Sequence, residues 1–64
     1  MKRRDLERHL SEHQCQFVRR GGEHDMWQNM ATGRKSAVPR HKEVKTGMVK
    51  GICRTLGIPL PKGL

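Results

Sequence analysis

The stretch Cys15-Gln16-Phe17-Val18-Arg19-Arg20-Gly21-Gly22-Glu23-His24-Asp25-Met26-Trp27-Gln28 decides how this chain folds. Two short segments, 15–20 and 23–28, flank a glycine pair. Alternating polar and apolar residues over so few positions mark strands that bury one face. A Gly-Gly pair between such segments is a hairpin signal, because both residues accept positive φ. With a two-residue loop, Arg19 faces His24 and Phe17 faces Met26. That register places Phe17 and Met26 on the buried side.

On the N-terminal side, residues 2–13 read as a helix. Leu6 and Leu10 stand one turn apart among charged and polar residues, a narrow stripe suited to a surface helix. Glu7 and Glu12 interleave with arginines and support it with modest ion pairs. On the C-terminal side, Asn29–Lys35 reads as a second turn, with Gly33 as its permissive residue. Residues 36–39 form a third short strand. Pro39 has no N–H, so that strand lies at an edge or ends there. Residues 46–56 form a second helix, with Met48, Val49, Ile52, Cys53 and Leu56 on one wide apolar face and Thr46 as its N-cap. Gly57 stops it, Ile58 closes the cap, and Pro59 and Pro61 prevent continuation. Gly51 inside it is expected to let the helix pack closely against a neighbour.

The predicted order is helix, strand, strand, strand, helix, an α+β chain. Neither helix can bury its stripe alone, and a three-stranded antiparallel sheet needs one face covered. Packing both helices on one face of the sheet meets both needs. This is the arrangement of double-stranded-RNA-binding domains, which read A-form shape. Residues 1–59 are expected to form a single domain and residues 60–64 a short loose tail.

The chain has 64 residues, with 14 Lys and Arg against 6 acids, a formal charge of +8. Such a balance favours an anionic partner: nucleic acid, a membrane surface or an acidic protein. So short a chain cannot enclose a substrate cavity, so any chemistry belongs on an open face. No apolar run reaches spanning length, and no membrane partner is expected. Cys15 and Cys53 lack a CxxC spacing and fall at apolar-patterned positions. They read as small core residues of a protein from the reducing cytoplasm.

No phosphate-binding loop, dinucleotide fingerprint or cluster of carboxylates is present. Glu23 and Asp25 flank His24 without a third acid, which argues against a two-metal nuclease. His9 and His13 are spaced as zinc ligands can be, with Cys15 two residues beyond, but a fourth ligand would have to be distant. No metal or other cofactor is expected.

Metal-free RNA cleavage remains open to this composition. RNA supplies its own nucleophile, the 2′-hydroxyl. An enzyme need only move protons, which histidine does near neutral pH, and steady the phosphorane charge, which Lys and Arg do. Of the four histidines, His24 is the strongest candidate: it follows the glycine pair, where backbone at Gly22 lets a phosphate approach, with Arg19 and Arg20 across the turn. His41, in Pro39-Arg40-His41-Lys42, is either a solvated basic-loop residue, a phosphate ligand or a second proton-transfer group. Trp27 either stacks on a base or completes a small core or partner interface, and the second reading is favoured.

Three stretches together resemble the HicA family of toxins. Phe17-Val18-Arg19-Arg20-Gly21-Gly22-Glu23-His24 is similar to the family's strand, glycine turn and histidine. Val38-Pro39-Arg40-His41 is similar to its third strand ending in P-x-H. Glu43 to Lys50, continuing through Ile52, Leu56 and Gly57-Ile58, is similar to its closing helix. The resemblance spans roughly residues 2–59. It departs at His13-Gln14, where a glycine often ends the first helix, and at Thr46, where the second helix often opens with proline. The resemblance implies a double-stranded-RNA-binding-like fold, cleavage of messenger RNA and growth inhibition, and the missing carboxylate cluster makes the expected cleavage metal-independent. The resemblance also implies neutralisation by a HicB-like antitoxin. It assigns catalysis to His24. Arg19, Arg20, Gly22, Lys35, Arg40 and His41 are then expected to contact RNA. No DNA partner is expected for the chain by itself. The alternative expectation is a non-catalytic RNA-binding module of the same fold.

Overall fold

A computed structural model describes residues 1–64 and orders them as α1 (Arg3–Glu12), β1 (Cys15–Arg20), β2 (His24–Asn29), β3 (Lys35–Pro39) and α2 (Thr46–Leu56). The expected order holds, with boundaries moved by a residue or so at helix and strand ends. The strands form one antiparallel sheet in the order β1-β2-β3. β3 is an edge strand that ends at Pro39, as a residue without an N–H requires.

One face of the sheet supplies Cys15, Trp27 and Val38 to the core. Leu6 and Leu10 of α1 and Val49, Ile52, Cys53 and Leu56 of α2 join the same cluster, so both helices cover that face. Val44, in the loop before α2, completes it, and Ile58 packs on its margin. Both thiols are buried in this apolar layer, which raises their pKa; Cys53 is raised further by the charge of Cys15. Trp27 is buried and is therefore a core residue.

Several local readings need correction. The hairpin loop is not two residues long. Arg20 pairs with Asp25 and Arg19 with Met26, and after a bulge between Arg19 and Phe17 in β1, Phe17 pairs with Trp27. Residues 21–24 span the turn, which shifts the pairing by two positions, and the bulge takes one of them back. Phe17 then shares a face with Trp27 rather than with Met26. It stays 51% exposed, because β1 has a strand neighbour on one side only. The Phe17 ring meets Trp27 edge-on, with centroids 6.3 Å apart.

Met48, expected on the buried face of α2, is 49% exposed. Thr46 is the first helical residue and not the cap; Lys45 holds the cap position without a side-chain bond. Gly51 does not serve close packing, because a Cβ there would meet no atom within 4 Å.

The turns are closed by specific bonds. Asn29 was expected in the turn but ends β2, 4% exposed. Its Nδ2 donates to the Leu56 carbonyl at 2.9 Å, and its Oδ1 accepts from the Ala31 N–H at 2.9 Å. One buried amide thus ties the β2–β3 turn to the end of α2. Gly33 takes φ 83° in that turn, as expected. Gly57 takes φ 72°, and the Gly57 and Ile58 N–H groups bond back to Arg54 and Cys53, ending α2. The tail is less loose than its composition suggests: the Pro59 carbonyl lies 2.7 Å from His9 Nε2, and Pro61 is buried.

Candidate functional site

The chain leaves the sheet at Pro39 and runs through residues 40–45 before α2 begins. Its N-terminal residues brace this run. The Arg3 N–H donates to the Lys42 carbonyl at 2.9 Å and the Val44 N–H to the Met1 carbonyl at 2.7 Å, while Lys2 and Glu43 form an antiparallel bridge. Held this way, the run stands off the sheet and forms one wall of an open groove. The groove has a volume of about 760 Å³ and is lined by His24, Pro39, His41, Glu43, Val44, Lys45, Gly47 and Met48. This is the open face expected of so small a chain, and it explains the exposure of Met48, which forms its rim.

His24 opens β2 and pairs with Pro39, the last residue of β3. His24 therefore sits where the sheet ends and the loop begins, exposed to solvent. His41 follows Pro39 by two residues and faces the same groove. The two imidazoles come from positions 17 residues apart in sequence and line one groove through the pairing of β2 with β3.

Arg40, between Pro39 and His41, points the other way. Its Nη2 donates to the Gly22 carbonyl, and its Nε lies 3.7 Å from Asp25 Oδ1. The Arg40 N–H bonds to the Glu23 carbonyl at 3.3 Å, and the Arg40 carbonyl accepts from Arg3 Nη1 at 2.8 Å. Arg40 thus grips the backbone on one side of His24 and the carboxylate on the other. It fastens the glycine turn to the end of β3, and its guanidinium is occupied by protein groups. The buried Asp25 Oδ1 and Arg40 Nη1 have no hydrogen-bond partner of their own, so their charges are held together without full pairing.

The glycine turn is built for close contact rather than for left-handed backbone. Neither Gly21 nor Gly22 has positive φ. Gly21 instead packs directly against the His24 carbonyl, leaving no room for a Cβ, whereas Gly22 faces open space. Arg19 and Arg20, exposed at the end of β1, share this end of the sheet, since Arg20 pairs with Asp25. Lys35 does not. It pairs with Gln28, four residues along β2 from His24, which is roughly 13 Å of strand. Lys45 lines the groove and escaped the sequence reading. The only signal for it was the density of basic residues after Pro39.

No metal-binding group of three or more His, Cys, Asp or Glu side chains occurs. His9 Nε2 is engaged by Pro59, and His13 Nδ1 lies 2.9 Å from the His9 carbonyl. No helix is long and apolar enough to cross a membrane.

Comparison with known proteins adds one finding. No curated protein and no solved structure matches the chain. The family model described as HicA toxin of bacterial toxin-antitoxin matches residues 3–58, from the first helix through Ile58. That span contains both helices, the whole sheet and the groove with its two histidines, and the chain belongs to the HicA toxin family.

Proposed function

We propose that this protein is a metal-independent endoribonuclease that cleaves messenger RNA, and that a HicB-like antitoxin silences it by covering the groove. The observation that carries the reading is the shared groove of His24 and His41 on a strongly basic, open face. Two imidazoles in one groove suit the two proton transfers of 2′-hydroxyl attack: one takes the hydroxyl proton, the other protonates the leaving 5′-oxygen. His24, at the start of β2, is the principal proton-transfer residue. His41 is its partner or a phosphate ligand. Lys45, Arg19 and Arg20 supply positive charge to the phosphorane and its neighbours. Gly22 presents bare backbone beside the path of the strand. Lys35 would contact RNA only where the strand extends along the sheet, and Arg40 acts chiefly by holding the turn.

The test is His24→Ala. Single-turnover cleavage should fall by about 10²–10⁴-fold. RNA affinity and melting temperature should hold, because one exposed ring contributes little to phosphate binding or packing. His13→Ala is the control and should keep nearly full activity. A His24→Ala protein that cleaves at the parent rate would leave a non-catalytic RNA-binding module in place of the enzyme.

A further inference from the structure

We propose that the hollow formed by Lys2, Arg3, Arg4, Lys42 and Glu43 is a second phosphate-binding site, which takes the RNA backbone as it leaves the histidine groove. The inference rests on the ribonuclease reading above and extends it to residues outside the groove.

Two features point there. The first is charge. The hollow is lined by four cations and one carboxylate, with no apolar side chain among the five residues. Arg3 is committed to Glu7 and to the Arg40 carbonyl. The side chains of Lys2, Arg4 and Lys42 are exposed and make no hydrogen bond or ion pair within the protein. Glu43, the one acid, is held by the Met1 ammonium at 2.9 Å. Three unpaired cations around one hollow repel one another, and a polyanion relieves that repulsion.

The second feature is continuity. Glu43 lines both the hollow and the histidine groove, and Lys42 follows His41 directly. The hollow therefore opens where the groove ends. A strand lying in an open groove must leave it, and on this side it leaves past Lys42 onto Lys2 and Arg4. The bridge between Lys2 and Glu43 fixes the spacing of the two walls, so the site is preformed. A flexible polymer is favoured over an acidic protein surface, because the hollow continues a groove rather than a flat patch.

The experiment measures binding of single-stranded RNA to the His24→Ala protein, which prevents turnover. One RNA is a trinucleotide that fills only the groove; the other has about twelve nucleotides, within the span such surfaces cover. Lys2→Ala/Arg4→Ala/Lys42→Ala is compared with Lys50→Ala/Arg54→Ala/Lys62→Ala, which removes equal charge elsewhere. Arg3 is left intact because it braces the loop. The first triple variant should weaken the long RNA about tenfold or more and lower the salt slope by about two, as three lost contacts to a single strand require. Its trinucleotide affinity should stay within about twofold of the parent, and the second triple variant should weaken the long RNA by less than about threefold. Equal loss from both triples would reduce the effect to net charge and overturn the proposal. So would undiminished long-RNA binding by the first triple, which would hand the hollow to an acidic protein. Arg4→Ala alone, whose side chain makes no hydrogen bond or ion pair, repeats the comparison if the triple variant melts early. A parent protein that binds neither RNA overturns the ribonuclease reading itself, an outcome distinct from selective failure at the hollow.

Discussion

Gly21 packs against the carbonyl oxygen of His24 so closely that no side chain fits between them. The candidate catalytic residue therefore takes its backbone position from a glycine three residues earlier. Arg40 clamps the same turn from the side of β3 through the Gly22 carbonyl and Asp25.

Substituting the two glycines of the turn should separate their roles. Gly21→Ala forces the His24 carbonyl away and should cost about 1–3 kcal/mol, as overpacking does. RNA cleavage should fall with it, because His24 moves. Gly22→Ala projects into open space and should change stability by less than about 0.5 kcal/mol. Any loss of RNA affinity in Gly22→Ala would then report close approach of the strand. Chemical denaturation and cleavage assays on both variants check this, and equal stability losses would contradict it.

Cleavage through His24 and the RNA 2′-hydroxyl requires no divalent cation. Activity should persist in EDTA, and products should carry 2′,3′-cyclic phosphate or 3′-phosphate ends. A substrate with a single deoxynucleotide at the scissile position should resist. Activity abolished by EDTA and restored by magnesium would sink this mechanism.

Two positions are locally suboptimal, and correcting them should raise stability. Gly51 sits inside α2 with open space where a Cβ would go, so Gly51→Ala should stabilise by about 0.5–1 kcal/mol through helix propensity. Gln14 holds φ 68°, a left-handed conformation just past the end of α1 where glycine is usual. Gln14→Gly should also stabilise by about 0.5–1 kcal/mol, since relief of the side-chain clash outweighs the added backbone entropy. Melting temperatures of the two single variants and of the double variant test both, and the gains should add because the sites share no partner.

The buried thiols predict an alkaline limit to stability. Desolvation raises the pKa of Cys15 and Cys53 above the ordinary value of 9.0, so the folded state keeps protons that the unfolded state releases. Their contribution is fully present below pH 9.0 and is lost as pH rises toward the raised folded values. Urea midpoints should therefore fall above that pH. Cys53→Ala should be less stable at neutral pH, through its cavity, but should lose less between neutral and alkaline pH. Parallel pH curves for the two proteins would contradict the assignment. In the native state both thiols should react slowly with alkylating reagents.

Period and punctuation in the chain were enough for the elements. The Leu6–Leu10 stripe, the apolar face from Val49 to Leu56, the stop at Gly57-Ile58 and Pro39 at the strand end are consequences of local geometry, and each appears where the pattern predicts. His24 and His41 could each be picked out as candidates for the same reason: one follows a turn, the other a strand end. What local pattern could not supply was pairing. The length of the turn and the bulge in β1 depend on how two strands meet, and together they put Phe17 beside Trp27 instead of Met26. The alignment of His24 with Pro39 brought His41 into the same groove, and the run from Arg40 to Lys45 stands off the sheet only because residues 1–3 bond to it from the far end of the sequence. Arg40 and Lys45 are both cations after Pro39, and nothing in the sequence distinguishes them. The tertiary structure turns one inward to Asp25 and the other into the groove, because the direction of a side chain in an irregular loop is set by the contacts around it and not by its neighbours in the chain.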